Sequence, residues 1–82
     1  MKYTVHFTDP LNNKIIAQIC ESKTAATIIV TRKLLEMHYD CVMMGQDFNV
    51  TGTPLPGDSA LHAEVLIDDI VVLLIDAKPM LH

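Results

Sequence analysis

The stretch Leu61-His62-Ala63-Glu64-Val65-Leu66-Ile67-Asp68-Asp69-Ile70-Val71-Val72-Leu73-Leu74-Ile75 decides the fold of this chain. Alternation from Leu61 to Ile67 puts Leu61, Ala63, Val65 and Ile67 on one face and His62, Glu64 and Leu66 on the other, the pattern of a strand. Asp68-Asp69 then reads as a two-residue hairpin turn, weaker than Asn-Gly. Ile70 to Ile75 is apolar at every position and rich in β-branched residues, which places it in the middle of a sheet, and Pro79 stops it. A helix from Leu61 to Ala77 is the rival reading, disfavoured by the β-branched residues.

Working outward, the N-terminal stretch repeats the strand signal. Lys2 to Thr8 alternates strictly, with Tyr3, Val5 and Phe7 on one face. Asp9-Pro10-Leu11-Asn12-Asn13 collects turn formers, and Lys14 to Glu21 follows as a second strand with apolar residues on both sides. Ser22 is a good helix N-cap, and from Lys23 to about Tyr39 there is no Gly or Pro. Ala26, Ile29, Val30, Leu34 and Met37 form a helical stripe, which Ile28 and Leu35 widen. The β-branched run from Thr27 to Thr31 lowers helix propensity, so packing must hold this helix. Cys41 to Met44 reads as a short apolar strand, Gly45 as a bulge or tight turn before Phe48 and Val50, and Thr51 to Ala60 as the longest loop.

The sum is a single α+β domain over residues 1–82, ordered β-β-α-β-β-β, with a mostly antiparallel sheet and one helix across one face. With 82 residues there is material for one core only. Half the residues are apolar but only 5% are aromatic, so that core is aliphatic.

One helix covers one face of a sheet, and an uncovered apolar face marks an interaction surface. Ile16 and Cys20 from the second strand, with Val71, Leu73 and Ile75 from the last, are the residues expected on that face, where they would support a homodimer. The alternative is that the Thr51 to Ala60 loop and Met80-Leu81 fold under the sheet and cover them.

Charge divides the chain. Residues 1–39 carry a net +2 and residues 40–82 a net −6. Direct nucleic-acid binding needs a basic footprint that is missing here, and the acidic half suits a protein partner with a basic surface. Asp58, Glu64, Asp68, Asp69 and Asp76 are the candidate acidic surface, with ordinary solubilising charge as the plain alternative. The longest apolar run is far short of the ~20 residues that span a bilayer, and the start lacks a signal-peptide core, so a cytoplasmic protein without membrane attachment is expected. Two cysteines fit a reducing compartment, and Asn49-Val50-Thr51 reads as a chance sequon.

Chemistry-bearing residues are sparse. His38-x-x-Cys41 with His6, His62 and Cys20 supplies metal-ligand types, but a structural zinc site needs two close ligand pairs, and His38 near a helix C-terminus has a favourable dipole contact without metal. A Cys20–Cys41 disulfide is disfavoured because a helix separates the two by its own length. Ser22 is a cap, Gly57-Asp58-Ser59 lacks the nucleophile elbow, and Gly45, Gly52 and Gly57 are not spaced as a phosphate loop. No catalysis, cofactor or metal is expected.

In size and layout, a short acidic chain with a strand hairpin, a Ser22-capped helix and further strands resembles small phage-encoded inhibitors of host machinery, including anti-CRISPR proteins. That resemblance implies a non-enzymatic viral inhibitor acting in the host cytoplasm, blocking a host defence or nucleic-acid-handling complex through its acidic half. A homodimeric, antitoxin-like structural or regulatory module is the second reading. A small ligand-binding domain or enzyme, with a pocket near His6, His62 or Tyr39, is the third.

Overall fold

The 61–75 stretch folds as the hairpin its alternation predicts. In a computed structural model that describes residues 1–54 and 60–80, six elements follow one another: β1 (Tyr3–Asp9), β2 (Lys14–Cys20), α1 (Lys23–Met44), β3 (Phe48–Pro54), β4 (Leu61–Ile67) and β5 (Ile70–Pro79). The strands form one antiparallel sheet in the order β2-β1-β5-β4-β3, so β5, which carries the all-apolar run from Ile70 to Ile75, is central. It extends beyond Ile75, and Pro79 is its last residue, opposite Tyr3.

Asp68 and Asp69 make the β4–β5 turn with φ of 50° and 66°, the left-handed pair that lets a two-residue loop match the strand twist. Asp68 also ties down the start of β3. Its N–H donates to the Asp47 carbonyl at 3.0 Å, and its carboxylate accepts from the Asp47 N–H at 3.0 Å.

The helix is longer than its sequence pattern predicts. Cys41-Val42-Met43-Met44 is not a strand but the last turn of α1, and chain reversal begins only at Gly45. The physical reason is packing: Cys41 lies four residues beyond Met37 and continues the buried side that starts at Ala26 and Val30. Gly45 sits at φ 67°, and the N–H groups of Gly45 and Gln46 return to the Val42 and Cys41 carbonyls at 3.4 and 2.9 Å. At the other end the Ser22 hydroxyl accepts from the Ala25 N–H at 3.1 Å, as predicted. His38 is therefore well inside the helix. Its ring stacks on Phe48 at 5.0 Å between centroids, which anchors the start of β3 to the helix and replaces the expected dipole contact.

α1 lies along one face of the sheet over β2, β1 and β5. Val5, Val65 and Ile75, all wholly buried, form the centre of the core beneath it. A bulge sets which β5 residues point there. Val65 opposes Leu73 and Leu66 opposes Val71, so Val72 is an extra residue that turns toward the core with Leu73.

This corrects the expected uncovered face. Cys20, Leu73 and Ile75 belong to the core under the helix, and the bulge separates Val71 from them onto the opposite face. Ile16 is on the helix side too, but beyond the cover of α1. The third strand also continues to Pro54, shortening the expected loop. Its residues 55–59, the question of whether it covers the sheet, and the candidate Asp58 lie outside the described residues.

Candidate interaction surfaces

The apolar surplus is carried by the outside of the helix and by one sheet edge. Ile28, Leu35, Tyr39 and Val42 fall within about 60° of one another around α1, and each is between 51 and 65% exposed. They lie diametrically opposite the buried side made by Ala26, Val30, Met37 and Cys41. A helix that is apolar on both sides is ordinarily enclosed on both. In the sequence pattern Ile28 and Leu35 only widen the core stripe. The missed signal is the seven-residue spacing of Ile28, Leu35 and Val42, which becomes visible once the helix is known to reach Met44.

The second apolar feature is β2, an edge strand whose first six residues are exposed. Ile15 and Ile19 project from the face without the helix and Ile16 from the helix face, each 60 to 67% exposed. Ile16 forms the outer margin of a groove between sheet and helix that also includes Phe7, Gln18, Lys33 and Met37.

The open face of the sheet is mixed in character. Ladder pairing sets Ala17, His6, Asp76 and His62 in one row across four strands. His62 Nδ1 lies 2.6 Å from Asp76 Oδ1, and this hydrogen bond, with the Asp76 charge behind it, raises the His62 pKa above its usual value. Glu64 lies in the next row opposite Leu74, and Val71 further along opposite Leu66. Asp76 is thus shared with a histidine instead of presenting a free charge.

The acidic candidates do not form one patch. Glu64 and Asp76 are on the open face, whereas Asp68 and Asp69 are at the turn beside Asp47 and the C-terminal end of α1. Asp9, Asp40, Asp47, Asp68 and Asp69 lie toward that end of a molecule 43 Å long, where Lys14 and Lys33 border the same groove as Asp9. The negative end of the helix dipole points the same way, and no basic residue occupies the last helical turn. The opposite end carries Lys2, Lys23 and Lys78 against Glu21. At the acidic end, the Asp9 carboxylate accepts from the Leu11 N–H at 2.9 Å and from the Asn12 side chain at 3.0 Å, which holds its pKa below normal and closes the β1–β2 turn.

Both cysteines are free and buried. Burial pushes the Cys41 thiol above its normal pKa, with the Asp68 and Asp40 charges adding to the effect, so it is a packing group and a poor nucleophile. Among the described residues no three His, Cys, Asp or Glu side chains converge as metal ligands, and no described helix is long and apolar enough to cross a membrane. Comparison of the chain with protein-family models, curated proteins and solved structures finds no match.

Proposed function

We propose that this protein is a non-enzymatic binding module that docks a partner protein along the outer side of α1. The observation that supports this reading is the stripe of Ile28, Leu35, Tyr39 and Val42, exposed on a helix whose other side is already used for the core. Enclosing four half-exposed side chains of this size releases roughly 1 kcal/mol or more each before association costs, enough to drive docking by an amphipathic helix into a groove. The stripe runs into the acidic end, with Asp40 following Tyr39. The complementary surface is therefore an apolar groove with basic groups at the end that receives Val42.

The test is a stripe variant, I28Q/L35Q/V42Q, in which Gln keeps helix propensity and removes the apolar surface. Quantitative affinity capture with the wild-type chain retains a protein that the variant does not, while the circular dichroism of the two is the same. Equal capture by both overturns the reading.

A further inference from the structure

We propose that two copies of this chain pair antiparallel through β2, continuing their five-stranded sheets into one of ten strands. This goes beyond the helix-docking reading, since it uses the opposite margin of the fold and a different partner, a second copy.

The two sheet edges are not alike. β3 carries Gly52 within it and ends on Pro54, both of which weaken strand addition. β2 has neither residue, and its register with β1 runs without a shift from Lys14 to Cys20. It presents a regular row of seven residues, with Lys14 at one end as its single charged member.

The sequence of that row is self-complementary. A twofold axis perpendicular to the sheet at Ala17 sets Ile15 of one copy directly opposite Ile19 of the other, twice, on the open face. It also sets Ile16 opposite Gln18 on the helix face, beside the groove that Ile16 borders. Apolar β-branched pairs across an antiparallel ladder stabilise it, and moving the axis to Ile15, Ile16 or Ile19 leaves one Ile–Ile pair in place of two. Charge favours the same orientation. With the axis at Ala17, Lys14 of each copy lies opposite Cys20 and beside Glu21 of the other, so the two charged groups flanking β2 pair twice with opposite sign.

The experiment combines sedimentation with a crosslink at the axis. The wild-type chain sediments at twice its 9.1 kDa mass in the micromolar range, and the I15K/I19K variant, altered only at exposed positions, sediments at the single-chain mass. In an A17C variant the two new cysteines face one another across the axis. Directly opposed residues have Cα atoms about 4.5 to 5.5 Å apart, within disulfide range, so mild oxidation converts the variant to covalent dimer. I15C, whose own copy lies four residues away along the strand, stays largely unlinked. A wild-type monomer overturns the proposal and leaves the edge to a strand of another protein. A dimer that survives I15K/I19K, or that links I15C as readily as A17C, also overturns it, because the copies then meet elsewhere.

Discussion

Gly52 lies directly opposite Ala63 in the β3–β4 ladder, and the His62 carbonyl occupies the space that a Cβ on Gly52 would need. The Ala63 Cα is 2.9 Å from the same point, so the obstacle is backbone and cannot rotate away. Gly52→Ala therefore forces the β3 edge off β4, with an expected loss of roughly 1–3 kcal/mol. Urea denaturation of the purified variant measures it, and an unchanged midpoint would show that the edge strand moves freely.

The β4–β5 turn holds both of its aspartates at positive φ, where an L-residue is strained. Asp68 has a compensating role, since its carboxylate accepts from the Asp47 N–H, whereas among the described residues the Asp69 carboxylate accepts no hydrogen bond. Asp69→Gly is expected to raise stability by about 0.5–1 kcal/mol, and Asp68→Gly to give less benefit or a net loss. Thermal melts of the two variants order them.

The His62–Asp76 contact predicts a particular direction with pH. Its folded pKa is raised above the unfolded 6.5, so the contact contributes most at pH values below 6.5, and the contribution disappears as pH rises through the folded value. Asp76→Asn should return the His62 titration, followed by the imidazole proton resonances, toward the ordinary range. Because the pair lies on an exposed sheet face, overall stability should change little.

Ile75 is wholly buried at the centre of the sheet, and Ile75→Ala should cost about 2–5 kcal/mol. Cys20 and Cys41 provide an independent readout of the same core. Both should react with a thiol reagent only when the chain opens, so I75A should accelerate their labelling in step with its loss of stability.

The strand pattern was legible in the sequence wherever alternation was local: β1, β2, β4, the Asp68-Asp69 turn and the Ser22 cap all follow from it. What could not be read depends on contacts between distant residues. Cys41-Val42-Met43-Met44 suits a strand or a helix by composition, and the burial of Cys41 alone, on the same side of α1 as Ala26 and Val30, goes with the helix. Val71, Leu73 and Ile75 alternate in sequence, yet the bulge at Val72 puts Val71 on the other face, and a bulge is a property of the β4–β5 pairing. The expected surplus of apolar surface is present, but it lies on α1 and the β2 edge instead of on one sheet face. Ile16 alone of the five residues expected to form the uncovered face is both strongly exposed and at an edge, while Ile28, Leu35 and Val42 form the larger surface on the helix.

The central claim, that the outer side of α1 is the docking surface, is tested most directly by site-specific photo-crosslinking. A photoreactive residue at Leu35, on the stripe, is compared with one at Thr51, exposed in β3 on the open face. Irradiation in the source lysate is predicted to give a discrete adduct between the Leu35 probe and one other protein, and none from Thr51. No adduct at Leu35, an adduct with only a second copy of the chain, or equal adducts at both positions would contradict it.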